Sequence, residues 1–147
     1  MFKINSNLIE KSAITLETNV VTGVISATTR FALNKIRNQV GTQITANTTT
    51  NRIIIGTGVS NVMISAQVQG ARQGTNAAII ELRKNGTQIK KAYMSATDSF
   101  QTLPILPFVE SVQENDYFEL YITDGSINGS SGLSNQTLCY ITVEKIN

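Results

Sequence analysis

The ionisable residues of this 147-residue chain leave little room for catalysis. It has no histidine, so the commonest general base and metal ligand is missing. Neither a Ser-His nor a Cys-His nucleophile pair can be assembled, and the usual zinc ligand sets fail for the same reason. The single cysteine, Cys139, sits in the apolar run 138–143 and reads as a small buried side chain; no intrachain disulfide can form. Carboxylates offer two pairs, Glu114 with Asp116 and, if their strands are neighbours, Glu119 with Glu144. Glu114 and Asp116 flank a turn and read most simply as solvated turn residues, as does Asp124 beside Gly125. No spaced series of aspartates supports a calcium loop. Gly56-Thr57-Gly58 lacks the lysine and the helix of a phosphate loop. The expectation is a non-enzyme, with no catalytic residue, no metal and no cofactor.

Composition points to strands. Ile (18), Thr (18) and Val (10) outnumber Leu (9) and Ala (10), and branched side chains pack best on a pleated surface. Ser, Thr, Asn and Gln number 53 and charged residues are 15%, a surface that is polar but weakly charged. The net charge is +2, with only Arg83-Lys84 and Lys90-Lys91 as basic pairs. That is no footprint for nucleic acid, and solvated hairpin faces explain the pairs. No apolar stretch reaches the roughly 18 residues that span a membrane, so no membrane insertion is expected. Residues 1–7 lack the apolar core of a signal peptide, so the expectation is synthesis in, and release from, a cytoplasm. The Asn-x-Ser/Thr triplets at Asn47, Asn85, Asn128 and Asn135 are then products of composition.

The elements that would position these residues are mostly strands. Residues 1–30 stand apart: 7–14 read as a short helix and 20–25 as a bulged strand, and the segment reads as an N-terminal arm that packs against a neighbour or, alternatively, as a short extra strand pair. From residue 31 strands are expected at 31–36, 39–46, 52–56, 60–69, 77–83, 87–94, 102–109, 117–123 and 136–146. Asn85-Gly86 between two apolar runs is a strong hairpin signal. Pro104 and Pro107 mark 102–109 as an edge or irregular strand. Residues 70–76 and 126–135 read as exposed loops. The strand after Asp116 is unusual. Phe118, Leu120 and Ile122 point one way while Tyr117, Tyr121 and Thr123 point the other, so both faces call for cover. Two packed antiparallel sheets, a sandwich or jelly roll, follow from eight or more strands with no convincing helix.

Three segments in order carry a family resemblance: Asn61-Val62-Met63-Ile64-Ser65-Ala66, Ile80-Glu81-Leu82-Arg83-Lys84-Asn85-Gly86, and Val112-Gln113-Glu114-Asn115-Asp116-Tyr117-Phe118-Glu119-Leu120. Together they resemble the complement/tumour-necrosis-factor-like jelly roll, particularly its bacterial and bacteriophage members, over residues 31–147. Asn115 stands where that family usually has Gly, and Asn also tolerates the left-handed turn. The resemblance implies a ten-stranded sandwich and a tight homotrimer, with strand 117–123 and the last strand lining the threefold axis. On that basis Tyr117, Tyr121 and Tyr140 are expected at the trimer interface, or under a loop of the same protomer. Phe118, Leu120, Ile122, Ile141 and Val143 are expected in the core. The implied function is a bacteriophage virion structural protein, a capsid decoration, head-fibre or connector trimer. Its arm, through Phe2, Ile4, Leu8 and Ile9, would grip another virion protein. The alternative is a tail-fibre or baseplate tip whose loops 70–76 and 126–135 bind a host-surface glycan or protein receptor; absence of Trp weighs against glycan stacking, and an exposed Tyr93 or Phe100 beside the loops would favour it.

Overall fold

The computed structural model describes residues 10–18, 24–73, 77–95, 100–128 and 139–146. Thirteen strands occupy them: β1 (Ala13–Glu17), β2 (Val24–Ser26), β3 (Thr29–Arg30), β4 (Lys35–Val40), β5 (Ile44–Asn47), β6 (Arg52–Ile55), β7 (Asn61–Gln73), β8 (Ala78–Lys84), β9 (Thr87–Met94), β10 (Phe100–Ser111), β11 (Tyr117–Asp124), β12 (Ser126–Asn128) and β13 (Cys139–Lys145). They form two antiparallel sheets. One runs β2-β12-β7-β13-β1-β4 with β10 on the other side of β7, and the other runs β5-β6-β11-β8-β9 with β3 added to β11. This is a jelly-roll sandwich.

Alternation explains how the layers close. Val62, Ile64, Ala66 and Val68 on β7 and Cys139, Ile141 and Val143 on β13 face inward and are buried. From the second sheet Ile80 and Leu82 on β8 and Phe118, Leu120 and Ile122 on β11 meet them, also buried. Phe31 and Leu33 are fully buried as well, although they lie between strands. Their apolar spacing marks anchors in a connection, not a ladder: Phe31 N–H donates to the Leu120 carbonyl at 2.9 Å and Leu33 N–H to that of Phe31 at 2.9 Å. The expected strands at 31–36 and 39–46 are accordingly displaced to β4 and β5.

The N-terminal part also differs from expectation. Instead of a helix reaching residue 14, β1 is an interior strand paired with β13 on one side and β4 on the other. Its Ile14 and Leu16 are buried, and this alternation of apolar residues across Thr15 is a period-2 signal that a helix would waste. β2 and β3 belong to the sheets too. Among the described residues the first strand of the sandwich is Ala13–Glu17, and residue 30 is not a boundary within it. The anchor residues Phe2, Ile4, Leu8 and Ile9 lie outside the described residues.

Turn chemistry follows the sequence closely. Asn85 and Gly86 have φ of 52° and 79° in the β8–β9 hairpin, and Asn115 takes φ 70°, the left-handed conformation that Asn tolerates. β10 pairs only with β7, and its register shifts between Ile105 and Phe108. The shift leaves Leu106 and Pro107 as a bulge on an edge strand, where proline costs no ladder bond. Across the open edge, Lys90 Nζ lies 4.8 Å from the centre of the Phe108 ring.

Cys139 is 1% exposed, and burial pushes its thiol up to about 12, opposed weakly by a backbone hydrogen bond. The thiolate is the reactive form, so the native protein should resist a soluble disulfide reagent at pH 8 and react stoichiometrically once unfolded in urea. Rapid labelling of the folded protein would place Cys139 outside the core.

Candidate functional site

The outward faces of the two sheets differ in kind, and the difference starts from β11. On the six-stranded sheet the outward residues of β11 are Tyr117, Glu119, Tyr121 and Thr123. Glu119 is only 3% exposed. Its Oε2 lies 2.6 Å from Arg30 Nε and accepts a hydrogen bond from Arg52 Nε at 3.0 Å. Arg52 stacks over the Tyr117 ring at 4.0 Å and Arg83 over the Tyr121 ring at 3.7 Å, arrangements favoured by the negative face of the aromatic ring. Arg83 also donates to Glu81 Oε2 at 2.8 Å, and Lys91 Nζ stands 3.9 Å from Glu81 Oε1. The Tyr121 hydroxyl donates to the Thr28 carbonyl at 2.6 Å, and Arg30 Nη1 donates to that of Thr50 at 3.0 Å. Four cations and two carboxylates thus cover a face that also holds two aromatic rings.

On the seven-stranded sheet the outward residues are mostly uncharged. Gln67, Ser65 and Met63 on β7 stand beside Tyr140, Thr142 and Glu144 on β13. Thr142 shares a hydroxyl contact of 2.9 Å with Thr15 on β1. Large exposed apolar side chains gather here: Val40, Met63, Leu106 and Val109 are in strands of this sheet and Ile146 directly follows β13, while Ile36 on β4 pairs with the inward Leu16; among those described only Tyr93 belongs to the other sheet. A pocket of about 320 Å³ opens at one end between β13, β1 and β4, lined by Lys11, Ser12, Ala13, Val40, Glu144, Lys145 and Ile146.

These positions correct several sequence expectations. β11 and β13 belong to opposite sheets, so Tyr117 and Tyr121 do not share a face with Tyr140, and Glu119 cannot pair with Glu144. Two strands of similar apolar pattern are distinguished only by jelly-roll connectivity, which sends the last strand across to the other layer. The rings of Tyr117 and Tyr121 are instead capped by arginines of the same chain. Arg30 and Arg52, from distant segments, had no sequence signal linking them to Glu119. Of the expected loops, residues 70–73 continue β7 and 126–128 form β12, while 74–76 and 129–135 lie outside the described residues. Tyr93 is exposed on β9, and the Phe100 side chain lies outside the description.

The carboxylate pair Glu114 and Asp116 also separates. Glu114 accepts a hydrogen bond from the Thr57 hydroxyl at 2.7 Å. Asp116, 6% exposed, is a clasp, not a solvated turn residue. Its oxygens accept hydrogen bonds from Asn85 Nδ2 at 2.7 Å and the Gln113 amide at 3.0 Å, with Lys84 Nζ 3.4 Å away. Asn85 in turn accepts from the Tyr117 amide at 2.9 Å, so two turns are locked together. Burial alone would raise the Asp116 pKa; the Asn85 and Gln113 hydrogen bonds and the Lys84 charge outweigh it and hold the carboxyl below its ordinary 3.8. Among the described residues, no three His, Cys, Asp or Glu side chains gather as a metal site.

No protein-family model matches the chain, and no curated protein matches it in sequence. Solved structures match it in shape. Murine APRIL, crystallised at pH 5.0, superposes with a TM-score of 0.66 at 12% identity, covering 92% of this chain and 99% of that one. The structure of Eiger TNF from S. frugiperda gives 0.67 at 9% identity, covering 94% of each chain. The PRD1 vertex protein P5 gives 0.61 at 18% identity, covering 92% of this chain and 97% of that one. At these identities the likeness establishes the fold, an all-β, antiparallel, tumour-necrosis-factor-like jelly roll.

Two substitutions probe the ties. Glu119→Ala leaves Arg30 and Arg52 facing each other beside the ring of Tyr117. Because both arginines are about a third exposed or less, the loss in urea unfolding should be about 3 kcal/mol, the low end for a broken buried pair. For Asp116 the depressed folded pKa means its contribution is present above the unfolded value and lost as pH falls through the lower folded one. Wild type should therefore lose stability below about pH 4. Asp116→Asn should cost about 1–2 kcal/mol at pH 7 and lose correspondingly less between pH 4 and pH 2. Parallel acid limbs in the two proteins would remove Asp116 from the clasp.

Proposed function

We propose that the chain is a non-enzymatic structural protein of a bacteriophage particle, a capsid decoration, head-fibre or connector protein. It works as a homotrimer that meets its own copies through the outward face of the seven-stranded sheet. The observation that carries this reading is the asymmetry of the two faces. One ties most of its charges and the rings of Tyr117 and Tyr121 within the protomer; the other is weakly charged and concentrates the exposed Met63, Val40, Leu106 and Val109. Contiguous exposed apolar surface on a folded domain marks an interaction site, and depletion of charge at its centre is the compositional mark of an interface. Tyr140, half-buried and opposite Gln67, supplies an aromatic contact there, while Tyr117 and Tyr121 belong to the other face. The shared fold with the PRD1 vertex protein P5 supports placement in a virion.

The segment preceding Ala13 is then the attachment to a neighbouring virion protein, with Phe2, Ile4, Leu8 and Ile9 as its apolar contacts. No enzymatic step is assigned. A second reading, a tail-fibre or baseplate tip recognising a host-surface glycan or protein, is favoured by one observation: Tyr93 stands 61% exposed on β9, and an exposed aromatic ring is a stacking platform for a sugar. Specific binding on a glycan array, lost in Tyr93→Ala, would select it.

Sedimentation velocity tests the leading reading. Wild type should sediment as a species of three 16.0 kDa chains at micromolar concentration. Met63→Glu and Tyr140→Lys should shift it toward monomer with an unchanged circular dichroism spectrum. A chain lacking residues 1–9 should remain trimeric yet fail to add to particles. A stable wild-type monomer would overturn the trimer, and retained attachment would overturn the role given to the N-terminal segment.

A further inference from the structure

The β8–β9 hairpin turns on a dipeptide with chemistry of its own. Lys84 and Thr87 pair directly across the ladder, so Asn85 and Gly86 alone make the turn, at φ of 52° and 79°. A backbone nitrogen that follows asparagine can attack the side-chain amide carbon and close a five-membered ring. Glycine hinders that attack least, because no Cβ shields its nitrogen. Both residues are exposed, and a Cβ at Gly86 would meet only the Tyr117 hydroxyl, at 3.6 Å. Neither crowding nor exclusion of water guards the dipeptide.

What guards it is the grip on the amide itself. Asn85 Nδ2 donates to Asp116 Oδ1 at 2.7 Å, and Asn85 Oδ1 accepts from the Tyr117 amide at 2.9 Å. The backbone N–H of Asn85 donates to the Tyr117 carbonyl at 3.0 Å. Ring closure needs the side chain to swing about χ1 until Cγ faces the Gly86 nitrogen. That movement gives up both side-chain hydrogen bonds together. The reactive conformer therefore belongs to a locally opened hairpin, and its population follows the free energy of opening, not the exposure of the residue.

We infer that Asn85 is a site of spontaneous deamidation, held off by its clasp to Asp116 and Tyr117 and, once modified, turned against Asp116. The Gly86 nitrogen bonds to Asn85 Cγ, the Cγ–Nδ2 bond breaks, and Nδ2 leaves as ammonia with the Gly86 amide proton. Water then opens the cyclic imide and returns a proton to the Gly86 nitrogen. Attack at Cγ gives aspartate; attack at the Asn85 backbone carbonyl gives isoaspartate, whose main chain is one methylene longer. Water is the sole co-reactant. Either product replaces the donor facing Asp116 with a carboxylate. Lys84 Nζ, 3.4 Å from Asp116 and 3.1 Å from Glu110, would then be one ammonium among three acids, and like charges so close oppose each other. The longer isoaspartate chain also spoils a two-residue turn, whose geometry sets the hairpin register. The reaction thus frees the hairpin from the turn before β11, in one direction only.

Mass spectrometry of the tryptic peptide 85–90, whose one asparagine is Asn85, tests the site and its guard. Wild type is aged at pH 8 and 37 °C, folded in buffer and unfolded in guanidinium chloride. The unfolded chain should convert to a mixture of isoaspartate and aspartate, and the folded chain at least tenfold more slowly. In folded Asp116→Ala the rate should rise about tenfold, and in Asp116→Asn, which keeps a neutral acceptor, by less. Asn85→Asp, one of the two products, should lower the urea midpoint in the wild-type background and far less beside Asp116→Asn, the coupling expected of facing carboxylates. No conversion in the unfolded chain, or aspartate without isoaspartate, would overturn the site. Equal rates in folded and unfolded wild type, or in folded wild type and both Asp116 variants, would overturn the clasp as its guard. Equal losses from Asn85→Asp in the two backgrounds would overturn the consequence.

Discussion

The buried carboxylate of Glu119 is the tie on which the six-stranded sheet depends. β3 and β6 each meet β11 through only two paired residues, Arg30 and Thr29 against Tyr121 and Ile122, and Ile54 and Ile53 against Tyr117 and Phe118. Ladders that short contribute little on their own, and a strand pair without further packing is marginal in water. Glu119 supplies what the ladders lack, because one of its oxygens contacts Arg30 from β3 and Arg52 from β6 at once. The stacks of Arg52 on Tyr117 and Arg83 on Tyr121 then cover the rings that flank it. Desolvating a carboxylate is costly; here the cost is offset by two cations, one from β3 and one from β6.

The inward half of this arrangement was legible in the sequence and the outward half was not. Period-2 alternation is a local property, so Phe118, Leu120 and Ile122 could be assigned to one face from their spacing alone, and the structure buries all three. The hairpin at Asn85-Gly86, the left-handed Asn115 and the edge position of the proline strand were equally local, each resting on the backbone demands of one or two residues. What covers Tyr117 and Tyr121 is decided by arginines brought in from β6 and β8 by the topology. No pattern within the strand 117–123 distinguishes an aromatic face awaiting another protomer from one capped by guanidinium groups. The same limit explains the placing of the last strand. Its apolar pattern resembles that of β11, but sheet membership depends on which strands lie between, and Cys139–Lys145 inserts between β7 and β1 in the opposite layer. For Asp116 the turn position was readable, while its burial follows from the meeting of two turns distant in sequence.

The N-terminal discrepancy has a physical cause of a different kind. Ala13-Ile14-Thr15-Leu16-Glu17 is short and its first residues favour helix weakly, so a capped helix and a strand compete on local terms. Tertiary context decides the matter: β13 and β4 offer partners on both sides, and burying Ile14 and Leu16 in the core outweighs propensity. The carboxylate of Glu17 then finds Lys35 at 3.0 Å on the neighbouring β4, a second instance of a buried acid fastening an edge strand. Acidic residues in this fold thus serve mainly as fasteners between strands and turns, which is consistent with so low a charge content supporting two sheets without a disulfide.

This use of charge bears on how the two faces diverge. A surface that self-associates must shed water from everything it covers, and unpaired ionised groups make that expensive. The six-stranded face gathers three arginines and two glutamates into internal pairs. The seven-stranded face is left with Thr15, Ser65, Gln67, Thr142 and the exposed Met63, Val40 and Val109, groups whose desolvation is cheap or can be matched by hydrogen bonds between copies. Its acids are Glu17, paired with Tyr140 in the ladder and held by Lys35 at 3.0 Å, and Glu144, which lies in the row joining Met63 to Ala13, beside the pocket that Lys11 also lines. Burying a carboxylate at an interface needs a cation within reach, so on the proposed self-association Glu144 and Lys11 would be the charged groups at that contact. Specificity of assembly would then rest on one charge pair, and affinity on the apolar row that surrounds it.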